Sequence, residues 1–587
     1  MTTPPAVGLD LSTLVENRRV TPKASDIDGA VKFAGAAGAI TALRERANDR
    51  PPQAGSEPAS FNACHYLLDR RVEAGDGARV ALTGRGGELT YAELLDRVQR
   101  ASRVLCDLGL QPEQRLIMVM ADGPEFVTVY LAAMRMGAIP VPVSTMLRPA
   151  GLIRLLVDSR ARWVAVTPEY GDLVAAAAVA APELRGILKC GGADVSMGRA
   201  LQAHDLDTMV SSATPAPDVY PTTTDSPGFW LYTSGTTGNP KAAMHRHGAV
   251  AVVSETYAEQ VLRLRPDDRC LSSAKGFFAY GLGNSVLFPL ATGASAVLEP
   301  APSRPELLVD RVSEYHPTLF FAGPTFFANM LRAELPRNAL AGVRLAVSAG
   351  EPLPAALYER WTSRFGVDIV DGIGMTETLH IFLSNLPGQV RPGTTGKPVS
   401  GYDLKILDEL DNETPTGEPG VLHVRAPSAA MGYWSQYDAS RRVFRGEWVR
   451  TGDTYVRDAD GYYTYLGRTG DMLKVSGIWV SPRDIEGQLL KHPAVDQAVV
   501  VGAADTDGLE RPVAFVVRAE SSSVTESELI AFCRNDLAAV HRPRRVIFVD
   551  TYPTTATGKV RRVELREQAV ILLSEPSEQT QASGLRS

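Results

Sequence analysis

From Tyr91 to Val370 the chain alternates segments of helical apolar spacing with short apolar strands, and this alternation restricts the fold more than any other feature. Residues 91–110 place Leu94, Leu95, Val98, Ala101, Val104 and Leu105 on one helical face. Residues 115–120 then read as a strand, 125–136 as a helix and 138–143 as a strand. More apolar strands are expected at 163–167, 293–298, 319–321, 344–348 and 367–370. Strands joined through helices lie parallel, and helices then cover the sheet. The fold class is α/β: a large N-terminal domain of layered α/β sheets.

Beyond residue 400 the pattern changes. Residues 417–420 form a turn and 421–425 alternate as a strand, which points to a β-rich subdomain. After residue 471 a small α+β C-terminal domain is expected, with a helix opening at Ser481-Pro482, strands at 495–501 and 511–517, and a helix over 526–540. Residues 1–60 are rich in proline and charge, with one alanine-rich helical stretch, and read as a peripheral extension. The division expected is an extension at 1–60, a large domain at 61–468, a hinge at 469–471, a small domain at 472–570 and a tail at 571–587.

A chain of 587 residues with 44% hydrophobic and 22% charged residues has the balance of a soluble multi-domain protein. Its net charge of −7 gives no basic footprint, so nucleic acid is not an expected partner. The five cysteines are widely spaced, with neither a zinc spacing nor a disulfide framework. The apolar stretches at 175–181 and 116–143 are too short or too interrupted to cross a bilayer, and no secretory signal opens the chain. A cytoplasmic protein without a membrane anchor is expected.

Residues 231–241 read Leu-Tyr-Thr-Ser-Gly-Thr-Thr-Gly-Asn-Pro-Lys. Glycines let a backbone approach phosphate, hydroxyls donate to its oxygens, and the lysine adds a point charge. Asn239-Pro240 stands between Gly238 and Lys241. A kinase-type P-loop needs a Gly-Lys-Ser/Thr ending and a backbone donor there, which proline lacks. The string resembles the phosphate signature of the adenylate-forming superfamily: acyl-CoA synthetases, aryl-CoA ligases, luciferases and peptide-synthetase adenylation domains. Ala242-Ala243 replaces the Gly-Val that family members usually carry after the lysine.

Further motifs follow in order, and the resemblance spans about residues 61–566. It implies that Thr233, Ser234, Gly235, Thr236, Thr237, Gly238 and Lys241 hold the ATP phosphates, and that Gly350, Glu351 and Pro352 border the adenine. The string 371–381 opens on a glycine-rich turn, and in it Asp371, Gly372 and Ile373 are expected at ATP and Thr376 at phosphate. Glu377 is either an acid at a helix start, complementing its dipole, or a carboxylate reaching Mg²⁺, with Thr233 beside it. Resemblance favours the metal. Asp453 is a turn aspartate by composition and a ribose ligand by resemblance, with Arg468 closing the large domain. Gly470 stands where relatives usually carry Asp or Lys, which leaves the hinge free to rotate between less defined end states.

Aromatic residues and glycines crowd residues 273–283, and taken alone such clusters are more often core than pocket. The segment resembles the acyl pocket of benzoate-CoA ligases, as does the continuation 378–385. That likeness implies an aryl pocket of Phe278, Ala279, Tyr280, Gly281, Gly323, Gly374, His380 and Ile381. A lone histidine among apolar residues is otherwise a core residue, and sequence leaves its protonation open.

Attack of a carboxylate on the α-phosphate of ATP releases pyrophosphate and needs no general base, because the nucleophile is already an anion. Lys559 is assigned to bridge carboxylate and α-phosphate. The resemblance implies that coenzyme A then attacks the acyl-adenylate after the small, mobile domain swings Lys559 away and presents the edge holding Lys474 and Gly477. The expected substrates are ATP, an aromatic acid of the benzoate, 2-aminobenzoate or hydroxybenzoate type, and coenzyme A, with Mg²⁺. The alternative acceptor is a carrier protein loaded in trans.

Overall fold

The computed structural model describes residues 60–195, 201–234, 240–475, 478–505, 509–520, 522–553 and 560–574. Two parallel sheets organise its larger part. The first runs Ile139–Pro142, Arg115–Val119, Trp163–Val166, Gly186–Lys189 and Gln202–Asp205, each strand parallel to its neighbour. The second has nine strands; Val80–Gly84, Ser295–Leu298, Arg269–Ser272, Leu319–Ala322, Leu345–Ser348 and Ile369–Gly374 are its parallel centre. Central strands such as Leu345–Ser348 are buried at every position, as a sheet covered on both faces requires.

Local chemistry explains the covering helices. Tyr91–Asp107 starts from a capping box in which Thr90 and Glu93 satisfy each other's backbone donors, and its buried face is the one read from the sequence. Pro124–Arg135, Pro305–Tyr315 and Pro324–Arg332 all carry proline in the first turn, where no N–H is needed. A hairpin of Pro227–Ser234 and Pro240–Arg246 forms its own two-stranded ladder, its first strand packed beside Ile139–Pro142 at the edge of the first sheet.

An antiparallel sheet built on Asp403–Leu407, Gly420–Arg425, Trp448–Arg457 and Tyr463–Arg468 is the expected β-rich subdomain. The last unit has Val495–Ala504, Glu510–Arg518 and Arg545–Phe548 in one sheet, covered by Pro482–Leu489, Glu526–Cys533 and Arg562–Ser574. Thr525 and Glu528 form its capping box.

Three sequence expectations need correction. The helix expected over 526–540 ends at Cys533, and only a short 3-10 turn, Ala539–His541, follows. The strand expected from 293 starts at Ser295, because Gly293 is the left-handed cap of the preceding helix with φ 78°. Finally, Gly372-Ile373-Gly374 is not a turn. It extends the strand Ile369–Gly374 and pairs antiparallel with Ile381–Ser384.

Candidate active site

Parallel register places the site. Ala322, Ser348 and Asp371 are directly paired across three adjacent strands, and Ser272 pairs with Phe321 one row back. The segments leaving the first three of these strands in chain order, at Ser273, Gly323 and Ala349, and the Gly372–Gly374 extension of the fourth therefore emerge along one edge, where open α/β sheets bind ligands. Gly350 has φ 91°, a conformation that favours glycine, and Glu351 accepts from the Thr325 hydroxyl at 2.6 Å. Gly350, Glu351 and Pro352 thus share the edge with Gly323. Burial raises the Asp371 carboxyl to about 7, opposed by the Ser348 hydroxyl, the Arg483 charge and the Leu353 amide.

Glycines bring the return strand unusually close. A β-carbon at Gly374 would lie 2.6 Å from the His380 carbonyl oxygen, and one at Gly372 would lie 2.7 Å from Ile381 Cγ2. Between these strands, Thr376–Thr378 makes one 3-10 turn, and Leu379 follows with φ 70° and ψ −49°. His380 N–H donates to Thr378 C=O at 2.9 Å across Leu379. This is the rare, strained γ-turn with a positive central φ. Strain of this kind costs about 1–3 kcal/mol and concentrates at functional sites.

The turn aims two side chains. His380 is buried among Phe288, Tyr257 and Tyr280, with ring centroids at 4.4, 5.5 and 5.6 Å. Burial pushes its imidazole down to about 3, so the ring is neutral at physiological pH, which the sequence left open. The Tyr280 hydroxyl donates to Val347 C=O at 2.8 Å, leaving its ring as a wall. Phe278 and Ala279 are half-buried, while Gly281 and Ile381 are buried. A β-carbon at Gly281 would lie 2.1 Å from Lys275 C=O, which explains that glycine. Gly283, one of the glycines crowding 273–283 but not among the assigned pocket residues, belongs there too: a β-carbon on it would lie 2.4 Å from His380 Cδ2.

Glu377 is the other side chain. It is buried, and its carboxylate accepts from the Tyr433 hydroxyl. The alternative to the metal, an acid complementing a helix dipole, finds little helix to complement, because a three-residue 3-10 turn carries almost no dipole. Thr376, beside it, is half-buried. Across the site, Thr233 pairs with Lys241 in the hairpin, and Lys241 Nζ lies 5.3 Å over the Tyr433 ring. The hairpin that carries Thr233, Ser234 and Lys241 is thereby joined to the Glu377 turn. Residues 235–239 of the phosphate string, Gly477 and Lys559 lie outside the described residues, and Lys474 is placed only by its strand, Leu473–Val475.

Asp453 and Arg468 face each other on paired strands with Arg468 Nε 3.2 Å from Asp453 Oδ1, and Asp453 is buried while Arg468 is half-exposed. Thr469 N–H donates to Gly452 C=O at 2.9 Å, so residues 469–471 start beside Asp453. From the last helix Arg566 donates to Gly470 C=O and to Asp471. A β-carbon at Gly470 would meet nothing, so packing does not demand glycine there.

Among the described residues no cluster of three or more histidine, cysteine or acidic side chains could hold a metal ion. A single buried carboxylate with threonine hydroxyls nearby suits a hard cation that takes its other ligands from phosphate and water, which is how Mg²⁺ is commonly held. The five cysteines are all unpaired thiols. No described helix is long and apolar enough to cross a membrane.

A sheet edge with a phosphate hairpin, a buried acid and an aromatic slot defines an enzyme that joins a nucleotide to an organic acid. The chain belongs to the AMP-binding enzyme family: residues 68–434 match that family and 484–559 match the AMP-binding enzyme C-terminal domain. It is 41% identical over 521 residues to the benzoate–CoA ligase of Thauera aromatica, covering 88% of this chain and 97% of that one. The p-hydroxybenzoic acid–AMP ligase of Mycobacterium tuberculosis is 34% identical, over 86% of this chain and 69% of that one. The crystal structure of an anthranilate CoA ligase with anthranoyl-AMP superposes with a TM-score of 0.82 at 35% identity, covering 88% of this chain and 98% of that one.

Proposed function

We propose that this chain is an AMP-forming aryl-CoA ligase that converts benzoate, a hydroxybenzoate or 2-aminobenzoate to its coenzyme A thioester. The observation that carries the reading is the single turn 376–380, which presents Glu377 to the phosphate hairpin and a neutral His380 to an aromatic slot. A carboxylate oxygen of the acid attacks the α-phosphorus of ATP, and pyrophosphate leaves. The thiolate of coenzyme A then attacks the acyl carbon, and AMP leaves. Glu377 and Thr233 are the residues that would hold Mg²⁺, which would neutralise phosphate charge, and Thr376 is assigned to the phosphates themselves. Asp453 takes the ribose hydroxyls, and residues 371–373 and 350–352 take the base.

Lys559 is assigned to the carboxylate and α-phosphate, and Lys474 and Gly477 to the edge that meets the pantetheine arm. In the basic run 541–545, Arg545 is held by Glu526 at 2.8 Å and Arg542 by Leu537 C=O at 2.9 Å, so His541 and Arg544 are either part of a solvated turn or the contacts for the phosphates of coenzyme A. The relative named as an AMP ligase supports a second reading, transfer of the aryl group to a carrier protein in trans. The test is a substrate panel: purified protein with ATP, Mg²⁺ and coenzyme A, and benzoate, hydroxybenzoates, 2-aminobenzoate or aliphatic acids. Thioester formation confined to the aromatic acids is expected. Turnover of aliphatic acids alone contradicts the reading, and adenylate without thioester favours the carrier.

A further inference from the structure

The segment from Ser428 to Trp434 links two parts of the site that lie far apart in sequence. On one flank Met431 and Trp434 N–H donate to Met244 and Ala242 C=O at 2.8 and 2.9 Å, and Met244 N–H returns to Gly432 C=O at 3.0 Å. The segment thus lies against the outer strand of the phosphate hairpin. On the other flank Ala430 N–H donates to Glu377 C=O at 2.8 Å, and the Ser428 hydroxyl to Thr378 C=O at 2.6 Å. One side chain spans the gap: Tyr433, 5% exposed and packed edge-on against Phe444 at 5.4 Å.

Its two ends do different work. The hydroxyl donates to Glu377 Oε1, and the ring face receives Lys241 Nζ. A buried carboxylate with a charge-assisted bond keeps one rotamer, whereas a free one samples several. A lysine over an aromatic face is restrained without losing its charge.

We propose that Tyr433 is a positioning residue for adenylation, fixing Glu377 through its hydroxyl and Lys241 through its ring, so that both flanks of the triphosphate site are set before nucleotide arrives. This rests on the ligase reading above. It concerns only the first half-reaction, since acyl transfer to coenzyme A takes place after pyrophosphate has left.

Tyr433→Phe keeps the ring and removes the donor. Pyrophosphate exchange dependent on the aromatic acid should fall about ten- to a hundredfold, the range of a charge-assisted hydrogen bond. Thioester formation from supplied benzoyl-adenylate should stay within about twofold. In calorimetry without acid, ATP with Mg²⁺ should bind several-fold more weakly and ATP alone unchanged. In a Glu377→Gln background the same substitution should add almost nothing, because Tyr433 acts through that carboxylate. Normal exchange in Tyr433→Phe, an equal fall in both half-reactions, or full additivity with Glu377→Gln overturns the role given to Tyr433. A wild-type protein without exchange on any aromatic acid overturns the ligase reading instead, and the calorimetric contrast then decides on Tyr433 alone.

Discussion

A hydrogen at Gly283 is all that the His380 ring allows, since a β-carbon would lie 2.4 Å from Cδ2 and 2.6 Å from Nε2. The ring cannot retreat, because Phe288 and the two tyrosines enclose it. Gly283→Ala should push His380 toward the substrate space and lower kcat/KM for the aromatic acid about tenfold, in line with overpacking costs of about 1–3 kcal/mol. KM for ATP should hold, and initial rates with each substrate varied test the split. Equal loss with respect to both substrates would contradict the pocket assigned to this ring. Residues of this kind differ in legibility. Glu377 and His380 belong to a string that resembles a known signature, whereas Gly283 and Tyr433 matter because of partners far along the chain, and local spacing carries no trace of such pairings. The string 431–434 was visible in the sequence, yet nothing in it names Glu377 as its partner.

At the scale of elements, seven strands of the layered sheets and two of their helices were readable to within a few residues, because burial on both faces leaves runs of apolar residues, whereas the short strands Val80–Gly84, Gly186–Lys189, Gln202–Asp205 and Arg269–Ser272 were not read. The misreadings come where local composition and tertiary pairing disagree. Gly372-Ile373-Gly374 has the composition of a turn, but small residues here let Ile381–Ser384 approach, and the ladder makes a strand of them. The same approach tightens the link between strands until Leu379 must take a positive φ. That strain is held by the Ser428 hydroxyl on Thr378 C=O and by Leu379 being fully buried. The helix that stops at Cys533 failed for another reason: residues 534–540 continue a helical composition, while Arg542 donates back to Leu537 C=O at 2.9 Å and turns the chain.

For the whole molecule, buried imidazoles set the response to acid. Burial pushes His245, His247 and His380 each down to about 3, against about 6.5 in an unfolded chain. Each depressed histidine contributes stability fully present above 6.5 and lost as pH falls toward 3, since only the unfolded chain takes up the proton. Asp371 acts in the opposite sense, because its raised carboxyl lets the folded chain bind a proton first below about 7. Of these four groups the histidines win, with a net uptake of about two protons on unfolding near pH 5, while burial also lowers His423 and raises Asp122 and Asp484, which act against each other. Stability should therefore fall by about 3 kcal/mol per pH unit between about pH 6 and 4.5. Urea midpoints across that range measure it, and a flat or rising stability would show that these histidines are not buried as described.

The acyl carbon–oxygen bond of the adenylate breaks in the second step, and isotope transfer reads that cleavage. With benzoate, or the best acid of the panel, carrying ¹⁸O in both carboxyl positions, attack on the α-phosphorus places one label on that phosphate. AMP released with the thioester should then be two mass units heavier, with unlabelled pyrophosphate. Unlabelled AMP, or label appearing in inorganic phosphate beside ADP, would contradict activation through an acyl-adenylate.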